Sequence, residues 1–366
     1  MTTLPCISIS DFLLILFLRH WFNMAGCARK EALLGPPARG QIAAPGFKRG
    51  SPADMMTSTM NRPRSARRAA IGGILVLSAL LGAIPATAAP KVVVSILPIH
   101  SLVAAVMDGV GTPTLLIDRP ASPHSYAMRP SDAKALNAAD LVVWVGPTLE
   151  SFLIKPLSTL PKSVRVITLT NEPLIKVIHV DDNAGPTRAG AEAGLDVDPH
   201  IWLDPDNAMA VVRIVRDALK RLDPEHAGKY DDNAQRELDD LIDLDMSTTE
   251  MTAGNFAGRP VILYHDSLRY FARRYGLEIA GTVLSGDKLP GARHMSDLRN
   301  LIAKRDVHCV FTEPEFSPAM AQALVEGTNA RVETIDPLGT KLHPGMEAYR
   351  FLIEGVFGGL LSCLRG

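Results

Sequence analysis

Three histidines stand in settings that could hold a divalent cation. His265 follows the apolar run Val261-Ile262-Leu263-Tyr264, His124 lies within Ser122-Pro123-His124-Ser125-Tyr126, and His200 within Asp198-Pro199-His200-Ile201-Trp202-Leu203-Asp204-Pro205. Neutral imidazole is a common zinc ligand, and prolines beside it restrict the backbone and pre-orient the side chain. Asp336, in Ile335-Asp336-Pro337-Leu338-Gly339, adds a carboxylate just past another apolar run. Each residue alone has a plainer reading, since a loop histidine is usually solvated and an Asp before Pro often caps a turn. The spacings are far too long for a zinc finger, so these groups form a site only if the fold gathers them. Three imidazoles suit zinc, with copper or nickel as competitors, whereas carboxylate-rich sets suit manganese. Among the ten histidines, His100 and His294 read as helix starts, His308 as a strand neighbour and His343 as part of a Gly/Pro loop. Trp144 and Trp202 read as packing residues.

The elements that must position these groups alternate between short β-rich runs and helical segments. Strands are expected at 91–97, 113–117, 141–145 and 164–169, with helices at 101–108, 131–138 and 149–160 between them. After a Gly/Ala/acidic stretch at 181–194 that reads as a surface loop, Asp204 supplies an N-cap and Pro205 a first-turn residue for a helix through Leu222. The apolar spacing from Pro224 to about Thr252 predicts one long helix. The grammar then repeats: strands at 260–264, 278–283, 308–312 and 331–335, helices at 267–275 (closed by Gly276), 295–305, 318–327 and 347–364. The expectation is therefore α/β: two lobes, each a mostly parallel sheet flanked by helices, joined by one long helix. The bounds are 1–89 for a leader, 90–222 for the first lobe, 223–254 for the linking helix and 255–366 for the second lobe. In open parallel sheets ligands sit beyond the carboxyl ends of strands, the place where His265 and Asp336 fall.

Composition fits a two-lobed globular protein and argues against nucleic acid. The first 89 residues hold ten Lys or Arg against three Asp or Glu, and the remainder 28 against 36, a formal −8. That sign suits a cation and opposes phosphate. Arg62, Arg64, Arg67 and Arg68 precede an apolar run over 69–84, and Ala86-Thr87-Ala88 offers small residues for cleavage, so export by a signal peptide is expected, with Met55, Met56 or Met60 as the start. A membrane anchor is the rival, disfavoured because the run falls short of the ~20 residues that span a bilayer, and no cysteine follows the cleavage site to carry a lipid. Beyond the leader only Cys309 and Cys363 remain. In an oxidising compartment they read either as a disulfide or as two separate buried thiols.

Several stretches together resemble the zinc-binding proteins of bacterial ABC importers, the metal-binding class whose two lobes are joined by a long rigid helix. They are Pro123-His124-Ser125-Tyr126 with Arg129-Pro130-Ser131-Asp132, the run Ala139 to Gly146, the segment around His200, Tyr264-His265-Asp266, Phe311-Thr312-Glu313-Pro314, and Asp336-Pro337-Leu338-Gly339. The resemblance implies a periplasmic, monomeric protein that is no enzyme, binds Zn2+ in the interlobe cleft through His124, His200 and His265, and delivers it to an ABC permease. It implies water or Asp336 as fourth ligand, and the Cys309–Cys363 pairing matches a disulfide of the zinc branch. Two departures stand out: residues 171–198 hold only His179 where many members carry a His-rich loop, and Pro123 stands where some members have Glu. The manganese and iron branches, which often place a carboxylate where His265 stands, are the first alternative. A secreted zinc hydrolase with Glu313 as general base is the second, and a surface adhesin the third.

Overall fold

The computed structural model describes residues 88–179, 197–284 and 289–365, all within one compact unit. The expected signal peptide and the acidic stretch 181–194 lie outside the described residues. In the first half, β1 (Val92–Val94), α1 (Leu97–Val106), β2 (Thr114–Leu115), α2 (Pro130–Asn137), β3 (Leu141–Trp144), α3 (Ile154–Ser158) and β4 (Arg165–Thr168) follow in order. After α4 (Pro205–Leu222) and α5 (Ala227–Thr252) come β5 (Val261–Leu263), α6 (Arg269–Tyr275), β6 (Ile279–Thr282), α7 (Ala292–Arg305), β7 (Cys309–Thr312), α8 (Ala319–Val325), β8 (Arg331–Thr334) and α9 (Ala348–Arg365).

The strands form two four-stranded parallel sheets of the same order, β2-β1-β3-β4 and β6-β5-β7-β8. The central strands are apolar at nearly every position and buried on both faces, as a sheet covered by helices on each side requires. The outer strands β2, β4, β6 and β8 are partly exposed. One hydrophobic cluster runs from Val92 and Leu141 through α4 and α5 to Val261, Phe311 and Cys363, so the two sheets share a core.

The strands and helices fall where the sequence places them, with informative differences. α1 begins at Leu97 and not Ser101, because Pro98 occupies its first turn, where a missing N–H costs nothing. His100 therefore lies inside the helix, buried, with Nε2 3.0 Å from the Pro113 carbonyl. The helix expected over 149–160 is a 3-10 turn (Ser151–Leu153) followed by the short α3; Pro156 is accommodated in the first turn of α3, so the helix cannot begin much before it. His294 is the third residue of α7, which starts three residues earlier than expected.

α4 begins as anticipated, with the Asp204 carboxylate accepting from the Asp206 amide at 2.8 Å and Pro205 in the first turn. A 3-10 turn at Pro224–His226 leads into α5, whose 26 residues span about 39 Å. Near its start Asn233 donates to the carbonyls of Val106 and Asp108, at 2.9 and 2.8 Å. Near its end Asp245 accepts from Arg274 and from the Tyr275 hydroxyl at 3.0 Å, so the helix is tied to both halves. α6 closes on Gly276, whose φ of 73° is the left-handed conformation that glycine adopts without penalty. Cys309 on β7 is bonded to Cys363 on α9 with Cα atoms 6.1 Å apart, which removes the reading of two separate thiols. Among the described residues no helix is long and apolar enough to cross a membrane.

Candidate metal centre

His265 lies two residues beyond β5, His124 in the loop between β2 and α2, and His200 at the entry to a 3-10 turn, Ile201–Leu203, that leads into α4. Their ligand atoms all lie within 4.8 Å of one another. The imidazole centroids form a triangle with sides of 5.8, 5.3 and 5.0 Å. His200 and His265 are buried, while His124 is half-buried.

Each ring is held by a distinct device. The His200 Nδ1 lies 2.8 Å from Asp198 Oδ1, and the same oxygen accepts from the His200 amide at 2.9 Å. A carboxylate on Nδ1 fixes that nitrogen as the protonated one and leaves Nε2 as the free lone pair. Asp198 is itself anchored, since the Tyr270 hydroxyl donates to its carbonyl at 2.8 Å while accepting from the Ile178 amide at 2.9 Å. For His265 the corresponding carboxylate is Glu313, directly after β7, with Oε2 3.5 Å from Nδ1 and Oε1 accepting from Ser267 Oγ at 2.6 Å. Phe316 packs on the His265 ring at 5.6 Å.

The His124 loop is braced from behind. Tyr126 donates to Asp132 Oδ2 at 2.9 Å, the Arg129 amide donates to the same oxygen at 2.8 Å, and the Arg129 guanidinium pairs with Asp118 at 3.0 Å and reaches the Leu116 carbonyl at 3.0 Å. Despite its burial, Asp132 is held below the usual carboxylate range by these donors. The prolines around His124 are thus only part of its positioning.

Neither Asp336 nor Glu315 belongs to the set whose ligand atoms all lie within 4.8 Å of one another. Asp336 Oδ2 accepts from the Thr340 hydroxyl at 2.9 Å and the Lys341 amide at 3.3 Å, the turn-capping role that an Asp-Pro sequence allows. Glu315, which carries no sequence signal of its own, lines the same cleft as the histidines. Burial, and then the charge of Glu313, pushes its carboxyl up to about 7. The cleft encloses about 270 Å³ including its open mouth. Trp202 packs at 5.3 Å from the His200 ring and donates to the Pro337 carbonyl at 2.8 Å. Trp144 donates to the hydroxyl of Thr168, its partner on β4, at 2.9 Å.

This arrangement can bind one small divalent cation through nitrogen. The family profile described as zinc-uptake complex component A, periplasmic, matches residues 92–356. The high-affinity zinc uptake system protein ZnuA of Brucella abortus is 34% identical over 75% of this chain and 91% of its own length. That of Paracoccus denitrificans is 33% identical over 79% and 97%. Among solved structures, one described as ZnuA superposes with a TM-score of 0.65 at 22% identity, over 75% of this chain and 99% of its own. A laminin-binding protein of Streptococcus agalactiae, described as an adhesin with metal-transporting activity, superposes with a TM-score of 0.62 at 23% identity, over the same shares of the two chains. At these identities the two superpositions speak to the fold.

Proposed function

The chain belongs to the family of periplasmic zinc-uptake components, and from that premise we propose that it captures Zn2+ through His124, His200 and His265 and hands it to an ABC permease. The observation that carries this reading is the convergence of three imidazoles, 141 positions apart from first to last, within 4.8 Å of one another. Zn–N bonds of ~2.0–2.1 Å at tetrahedral angles bring nitrogens to roughly 3.3 Å, a small contraction from that distance. The Asp198 carboxylate is hydrogen-bonded behind the His200 ring, the support typical of zinc-ligating histidine, and Glu313 lies 3.5 Å behind His265. Nitrogen donors favour zinc over manganese. Export to the periplasm, a monomeric state, and lobes bounded at 90–222 and 255–366 around residues 223–254 belong to the same proposal.

The hydrolase alternative loses its general base, because Glu313 is engaged by Ser267 and faces the back of His265. Capture without chemical reaction is the consistent reading. Metal analysis of the purified mature protein tests it: one zinc per chain is expected for the wild type, and none for a variant with His124, His200 and His265 all replaced by Ala. A triple variant that still holds one zinc would refute it.

A further inference from the structure

We propose that Glu315, and not Asp336, supplies the fourth, anionic donor to the cation at the three-histidine centre, directly or through one bound water. The inference rests on the reading of that centre as a metal site. Glu315 follows β7 by three residues, in the segment that also brings Glu313 behind His265 and Phe316 against its ring. Its side chain lines the cleft together with His124, His200 and His265. Both carboxylate oxygens are shielded from solvent, and no other residue donates a hydrogen bond to either.

A buried carboxylate without a donor is costly to fold around, and such groups call for a functional account. The neighbouring carboxylates of the site are used otherwise: Asp198 on His200, Glu313 on Ser267 and His265, and Asp336 Oδ2 on Thr340 and Lys341. Asp336 Oδ1 is also without a donor, yet Asp336 does not line the cleft. A cation held by three neutral imidazoles keeps its full charge, and the nearby carboxylate with two uncommitted oxygens is the group that charge would draw in. Four-coordinate zinc takes three nitrogens and one oxygen in this way. The carboxylate halves the charge of the bound ion, which distinguishes this site from one that keeps water as its fourth ligand.

The test is zinc affinity by competition with a chromophoric chelator at pH 7.5, with Co2+ absorption as a second readout of coordination. The variants are Glu315→Gln, which keeps shape and removes charge, Asp336→Asn, and His200→Ala as a control for the site itself. On this proposal Glu315→Gln weakens zinc by roughly 10- to 100-fold, the loss typical of outer-shell metal partners or greater. It also changes the Co2+ visible bands, whereas Asp336→Asn leaves both near wild type. Wild-type affinity and an unchanged Co2+ spectrum in Glu315→Gln overturn it, as does a loss confined to Asp336→Asn. If His200→Ala binds zinc as the wild type does, the three-histidine reading itself fails, a result separate from either outcome at Glu315.

Discussion

Asp198 is the group whose removal most directly tests how the site is built. Its side chain is about 4% exposed, and one oxygen serves both the His200 ring and the His200 amide, at 2.8 and 2.9 Å. Asp198→Ala frees the ring to rotate and to adopt the other tautomer, and it strands two buried donors. Loss of an outer-shell partner typically costs ~10- to 100-fold in metal affinity, equivalent to about 1.4–2.8 kcal/mol. Asp198→Asn can still accept from Nδ1–H through its amide oxygen, so it should fall between wild type and Ala, having lost the charge but not the geometry. Competition titration with a chromophoric chelator measures both, alongside urea denaturation of the metal-free proteins to separate a local loss from general destabilisation. Zinc affinity in Asp198→Ala equal to wild type, with the variant folded, would show that the carboxylate does not orient the ligand.

Three further outcomes follow from the same structure. Only neutral imidazole ligates, so protons compete with the cation and zinc affinity should fall as pH drops; isothermal titration between pH 5.5 and 7.5 giving constant affinity would contradict this. Glu150 is fully buried before the 3-10 turn that follows β3, and burial raises its carboxyl from 4.5 to about 7 despite donors from Ser95, Val145 and Gly146. The folded state therefore binds that proton more tightly than the unfolded chain, so the stability Glu150 contributes is present below about 4.5 and is lost as pH rises to about 7. Relative to Glu150→Gln, the metal-free wild type should lose up to ~1.4 kcal/mol per pH unit across that window, read by urea midpoints at pH 5, 6 and 7. Removing the Cys309–Cys363 bond, which closes a loop of sequence separation 54, should cost about 4 kcal/mol by chain entropy. A double Ala variant unfolding at the wild-type urea concentration would refute that.

The parallel sheets were readable because their central strands, such as Val92–Val94 and Val261–Leu263, are unbroken apolar runs that only a sheet covered on both faces can bury. Element edges were harder: α1 is buried almost all round, so it has no polar face to mark its first turn, and its start was set by Pro98. The three histidines were readable from Pro-bracketed loops and a strand end. The carboxylates behind them were not: Glu313 meets His265 only when β5 and β7 are assembled, and Asp198, two residues before His200, reads in sequence as an ordinary Asp-Pro turn cap. Glu315 was invisible for the same reason; in sequence it is one more acidic residue after a proline. Asp336 shows the converse, a residue placed correctly past β8 whose visible hydrogen bonds cap a turn.

The position of His200 explains how ligands from distant parts of the chain come to be ready for a cation. The short segment that carries it is stitched to the second half of the chain by three buried hydrogen bonds. The Tyr270 hydroxyl donates to the Asp198 carbonyl, Trp202 Nε1 to the Pro337 carbonyl, and the Tyr349 hydroxyl to the Trp202 carbonyl at 2.7 Å. Tyr349 is fixed in turn by Ser101, whose hydroxyl accepts from the Tyr349 amide at 2.9 Å, so α9 is fastened to α1 as well. With α5 held at both ends, His200 and His265 cannot separate without breaking several of these contacts together. The entropy of bringing the two rings together is therefore spent in folding and not again at binding, and preorganisation of this kind is what tight capture of a small ion requires. His124 is held separately, on a loop that Tyr126, Arg129 and Asp132 brace, so it reaches the cation from an anchor other than the one that fixes His200.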